Sequence, residues 1–245
     1  MQAFIVRWKP RLRKVPGYRV ARFIYRLVQG VESRNAALLL LWPPKGLYQP
    51  YGTTSNDRYP EIFKYVREHV GDGADVRILS VGCSTGEEVF SLRRYFSQAT
   101  IIGLDINPLN IAICRFRLLN SGHERIIFSV ASSTVAQAND YYDAIFAMAV
   151  FRHGDLNCSP PPPKCDHRIR FADFEKSVTD MARILKPGGL LIIQHAMFRF
   201  DDTLVAARFR TTLSLRTDET APVYGSDDCR MDEADFSGVV FRRIS

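Results

Sequence analysis

The residues best suited to chemistry stand together in Ile78-Leu79-Ser80-Val81-Gly82-Cys83-Ser84-Thr85-Gly86-Glu87-Glu88-Val89-Phe90, where an apolar run meets a turn bounded by two glycines and then a helical pattern. Small residues let the main chain approach a ligand closely, and the N–H groups opening a helix attract a carboxylate or polar oxygen. Such a crevice suits a nucleotide-like cofactor. Asp105 ends the following apolar run, Ile101-Ile102-Gly103-Leu104, about 20 residues after the turn, where a carboxylate can hold ribose hydroxyls. Ribose recognition alone does not separate adenosylmethionine from a dinucleotide. Glycine is absent at Ser84 and Glu87, so the G-x-G-x-x-G register is missing and a pyrophosphate reading loses ground.

A second place for chemistry is Met148-Ala149-Val150-Phe151-Arg152-His153. Histidine, with an ordinary pKa of about 6.5, can take a proton from a hydroxyl or amine near neutrality. It can equally orient a loop through a main-chain hydrogen bond, and both roles stay open for His153. His153, Cys158, Cys165 and His167 are close in sequence, but their spacing matches no standard zinc pattern and prolines separate them, so no metal site is expected.

These residues need a frame that brings strand ends together. Ile62, Phe63, Val66 and Val70 mark a helix opened by Pro60 and stopped by Gly71-Asp72-Gly73. Strands and helices then alternate: strand 77–81, helix 87–96, strand 100–104, helix 108–119, strands 126–129 and 144–149, and a helix marked by Phe171, Phe174, Val178, Met181 and Leu185. Lys186-Pro187-Gly188-Gly189 ends that helix before the strand 190–194. Alternation of this length predicts an α/β, Rossmann-like fold with a mostly parallel seven-stranded sheet and helices on both faces. The stretch 198–215 is mixed, 217–231 is rich in turn formers, and 239–244 reads as a strand, giving an antiparallel C-terminal edge. Cofactor contacts on the adenine side are expected at the end of the third strand, at Val130, Ala131 and Ser132.

With 245 residues, 46% of them hydrophobic, the chain suffices for one such domain, expected over 59–245. Residues 1–58 form a basic helical extension in this reading. Arg7, Lys9, Arg11, Arg13, Lys14, Arg19, Arg22 and Arg26 concentrate much of the net charge of +7 there. Val20, Phe23, Ile24, Leu27, Val28 and Val31 give 19–31 the pattern of an amphipathic helix, suited to packing on the domain or to peripheral contact with an anionic membrane. The basic extension could also meet nucleic acid, although no RNA-binding motif accompanies it. The most apolar run, Ala36 to Trp42, falls far short of the roughly 20 residues a membrane helix needs. Five unpaired-looking cysteines and no secretory pattern at the start point to the cytoplasm.

In its first motif the chain resembles class I methyltransferases, and among them the chemotaxis-receptor (CheR-type) group, over roughly Thr54 to Gln194. The resemblance implies S-adenosylmethionine as cofactor, with Gly82, Cys83, Ser84, Thr85, Gly86 and Glu87 lining its methionine and ribose portions, Asp105 on the ribose, Ile106 near adenine and Met148 along the crevice. Thr54-Ser55-Asn56-Asp57-Arg58 matches a Thr-x-x-x-Arg element of that group, which implies a bidentate pairing of Arg58 with the methionine carboxylate. The same group carries an Arg-Asn pair and then a Tyr after the fourth strand, where this chain has Met148-Ala149 and, further on, His153. Methylation of receptor glutamates is therefore disfavoured against an O or N atom of a small-molecule or lipid-like acceptor. The loop 154–168 is expected to cover the acceptor pocket.

Overall fold

The computed structural model describes residues 56–215, 221–231 and 238–244, together with 39, 44 and 46–49. The chain divides into two units, Met1–Pro43 with Pro50–Gly52, and Pro44–Gln49 with Thr53–Ser245. Apart from Leu39, the described residues belong to the second. The basic helix expected over 19–31, and Thr54, lie outside them.

Helix α1, Pro60–Val70, starts on a proline whose fixed φ and missing N–H cost nothing at the first helical position, and buries Ile62, Phe63 and Val66. Strand β1 is Arg77–Val81, helix α2 is Glu87–Tyr95, β2 is Thr100–Asp105 and α3 is Pro108–Leu119, capped by the Asn107 side chain on the Leu109 N–H. Strands β3 (Ile126–Val130) and β4 (Tyr142–Met148) follow without a helix between them. Helix α4, Phe171–Ile184, leads into β5, Leu185–Gln194; β6 is Phe209–Ser214 and β7 is Gly238–Arg243.

These seven strands form one sheet in the order β3-β2-β1-β4-β5-β7-β6. The first five are parallel, and β7 pairs antiparallel with both β5 and β6. The expected architecture holds. Strand β6 emerges from the stretch that looked mixed in sequence, because Phe209 and Leu213 alternate with polar Arg210 and Thr212 on an outer strand half-open to water. Strand β5 begins before its expected start: Leu185 already pairs with Tyr142, and Lys186–Gly189 bulge out before pairing resumes at Leu190.

Alternation along the strands feeds two cores. Ile78, Ala144, Phe146, Leu190 and Ile192 face α1, α2 and α3, while Leu79, Ile145, Ala147, Leu191 and Ile193 face α4. Each fully buried side chain of this size removes about 1.5–3 kcal/mol worth of apolar surface from water. The buried guanidinium of Arg93 donates to the carbonyls of Phe96, Ser97, Ala99 and Arg125, fixing the run from α2 into β2. The carboxyl ends of β1, β2 and β4 are thereby held at one edge of the sheet, where α/β folds bind ligands.

Candidate functional site

The turn after β1 requires its glycines. Gly82 has φ +70°, and a Cβ there would stand 2.8 Å from Val150 Cγ2. Gly86 opens α2 at φ +95°, where a Cβ would meet Phe90 and the Cys114 sulfur at about 3 Å. Ser84 also takes a left-handed conformation, φ +51°, a strained one for a residue with a Cβ. Its N–H donates to Asp105 Oδ2 at 2.8 Å. The main-chain N–H of Asn107 (2.8 Å) and the Asn110 amide (3.1 Å) donate to the other oxygen of Asp105. Burial raises the Asp105 pKa, and these donors oppose the rise.

Of the two glutamates opening α2, sequence reasoning chose Glu87 for the crevice. The structure turns Glu87 elsewhere: Oε1 accepts from Arg117 of α3 at 2.7 Å and Oε2 accepts from Thr85 Oγ1 at 2.7 Å. Glu88 was missed. It is partly buried, accepts from Ser80 Oγ at 2.7 Å, and is pushed up to about 7 by burial, against the pull of Ser80 and of the Arg58 charge. Two adjacent glutamates look alike in sequence; the 100° step of a helix separates them in space.

The remaining expected residues divide. Cys83 is 2% exposed, its N–H donates to the Leu104 carbonyl and its sulfur packs beneath Gly103, so its thiol belongs to the core under the turn. Met148 is buried in the core on the α1, α2 and α3 face. Ile106 and Ala131 are half-buried, and the Ala131 N–H donates to the Asp105 carbonyl at 3.0 Å. Ser132 is exposed, as is Arg58, whose guanidinium carbon lies 5.3 Å from the centre of the Tyr59 ring. His153 is buried, with Nδ1 accepting the Asp155 N–H at 3.2 Å to cap a short 3-10 turn over Gly154–Leu156, and burial lowers its pKa. Among the described residues no group of three or more His, Cys, Asp or Glu could hold a metal ion.

A segment read in sequence only as a proline-forced loop reaches this edge too. Gly46 passes so close to the Ser132 carbonyl that a Cβ would stand 3.0 Å from it, Tyr48 packs on Phe151 and hydrogen-bonds Ser177, and the Gln49 amide donates to the Ala149 carbonyl at 2.9 Å. No periodicity marks such a strap, because the contacts that seat it here, to Ser132, Ala149, Phe151 and Ser177, are long-range.

A glycine cradle that rejects Cβ atoms, a carboxylate one strand over and a second carboxyl beneath the first turn of α2 make a fitting receptacle for an amino-acid nucleoside. Residues 72–222 match the family described as "Methyltransferase domain". The chain belongs to that family. Its cofactor is S-adenosylmethionine, and the chemistry of the residues at the turn suits it: the Asp105 carboxylate could accept from ribose hydroxyls and the Glu88 carboxyl could meet an ammonium.

Curated relatives of this methyltransferase domain include a ubiquinone biosynthesis O-methyltransferase of Sinorhizobium medicae, 24% identical over 66% of this chain and 61% of that protein. A fatty-acid O-methyltransferase of Mycolicibacterium smegmatis is 30% identical over 51% of this chain and 39% of that protein. The chain spans about three-fifths of the length of the ubiquinone-type relatives it matches. Among solved structures, a geranyl diphosphate C-methyltransferase of Streptomyces coelicolor, bound to S-adenosyl-L-homocysteine, aligns over 55% of this chain and 44% of that one with 14% identity and a TM-score of 0.40. The chemotaxis-receptor resemblance is corrected by these relatives: the class I methyltransferase domain stands, but the curated relatives named above are O-methyltransferases and not receptor methyltransferases. No helix among the described residues is long and apolar enough to cross a membrane.

Proposed function

We propose that this chain transfers the methyl group of S-adenosylmethionine to an oxygen of a small-molecule or lipid-like acceptor. The observation that carries the reading is the joined arrangement of Gly82, Ser84, Gly86 and Asp105, in which the ribose carboxylate and the turn are hydrogen-bonded into one unit. The choice of oxygen, and of a small apolar acceptor, is supported by the relatives that methylate ubiquinone precursors and fatty acids in name.

The bound cofactor supplies a methyl group already activated on a sulfonium. The protein must hold the acceptor in line with that carbon and exclude water. Asp105 anchors the ribose end, Glu88 in its ionised form attracts the ammonium, and Arg58 is positioned near Glu88 to meet the carboxylate. Of the two roles its type and position left open, our reading gives His153 the bracing of the loop after β4 through Asp155.

The test is calorimetry with adenosylmethionine and adenosylhomocysteine, followed by detection of adenosylhomocysteine formed with hydroxylated aromatics and fatty acids as acceptors. Binding of both cofactor forms and turnover on at least one oxygen acceptor is expected. Absence of binding would overturn the reading.

A further inference from the structure

Strands β4 and β5 leave the sheet at the same height and in the same manner. Phe146 pairs with Ser80 on one side and Ile192 on the other, so Gly82, Met148 and Gln194 stand level across three strands. The residues just past β4 and β5, Ala149 and His195, both take left-handed conformations, φ +57° and +55°. The Ala149 N–H donates to the Gln194 carbonyl at 2.8 Å, which locks the two exits together. Beyond them the Met197 N–H donates to the Phe151 carbonyl at 2.8 Å. A left-handed residue with a Cβ is uncommon and strained. It also aims the side chain off the line that the strand would give it.

His195 is half-buried, and its ring lies 5.5 Å from that of Tyr59, tilted by 41°. Tyr59 in turn lies edge-on to Phe63 of α1 and carries Arg58 over its face, and the Arg58 charge acts on the Glu88 carboxyl. An imidazole at the end of β5 is therefore joined through Tyr59 and Arg58 to the carboxyl beside the cofactor turn. Two strand spacings, about 10 Å, separate the levels of Gly82 and His195.

We infer that His195 is the general base for the acceptor hydroxyl and that Tyr59 is its positioning residue. This rests on the methyl-transfer reading above. The balance is simple: the acceptor oxygen bonds the methyl carbon as the carbon–sulfur bond breaks, its electron pair stays on sulfur, and the hydroxyl proton passes to the imidazole. The positive charge that began on sulfur ends on His195 until water removes the proton.

The decisive measurements use the whole chain. Calorimetry with adenosylhomocysteine comes first, since failure of the wild type to bind would sink the methyl-transfer reading itself. Given binding, catechol added to the adenosylhomocysteine complex should shift the ring-proton NMR signal of His195, identified by its loss in His195→Gln. With the better acceptor of catechol and 4-hydroxybenzoate, each of which has a phenolic proton to lose, His195→Gln should lower kcat about 10²-fold while leaving adenosylmethionine affinity within twofold. Imidazole should restore part of the activity of His195→Ala, and Tyr59→Leu, which removes the ring that His195 rests against, should lower kcat without altering KM. No catechol-induced shift in the wild type, or an unchanged kcat in a folded His195→Gln, would overturn the inference and leave methyl transfer standing.

Discussion

The N–H of Ser84 donates to Oδ2 of Asp105 at 2.8 Å, tying a turn after the first strand to the end of the second. One carboxylate therefore shapes the cradle and, in the function we propose, also holds the ribose. Asp105→Ala should weaken adenosylmethionine binding by about 1–3 kcal/mol and also lower thermal stability, since the Ser84 and Asn107 amides lose their acceptor. Calorimetry and thermal denaturation check the two effects separately; unchanged affinity in a folded variant would place the ribose elsewhere.

Gly82→Ala should destabilise the chain by about 1–3 kcal/mol, because φ +70° strains a residue with a Cβ and that atom would press on Val150. Adding Val150→Ala should recover only the steric part. A double-mutant cycle by urea denaturation reads the coupling, and full recovery would mean that the backbone conformation carries no strain.

Glu88 links stability to pH. Its folded pKa, about 7, lies above its ordinary value, so its contribution is fully present below about pH 4.5 and is lost as pH rises through 7. The loss is at most about 3 kcal/mol. Glu88→Gln keeps an acceptor for Ser80 and should flatten the difference in unfolding free energy between pH 5 and pH 8. In the wild type, adenosylhomocysteine affinity should rise over the same interval as the carboxylate forms; a rise of equal size in Glu88→Gln would exclude Glu88 as the ammonium partner. Glu87→Gln, with its oxygens spent on Arg117 and Thr85, should leave affinity nearly unchanged.

His153→Ala should cost about 0.5–2 kcal/mol of stability, as removal of a capping acceptor does, and lower turnover less than tenfold. A loss near 10²-fold with stability intact would restore the base role to His153.

The local signals of the sequence carried the frame. Alternating apolar periods marked the five parallel strands and four helices, nearly to their ends except at the start of β5, and the Gly82–Gly86 turn with Asp105 marked the crevice proposed for the cofactor, because turn conformation and strand-end position follow from residue type over short distances. Tertiary structure alone decided between neighbours of equal chemistry. Glu88 rather than Glu87 lies beside Ser80, since one helical step turns the side chain through 100°. Cys83 drops into the core beneath a turn whose glycines line the crevice. His153, promising by position, is drawn into a loop cap, while His195, 42 residues further on and unmarked by any motif, is carried to the same edge because β5 pairs with β4 in a register that only the assembled sheet sets.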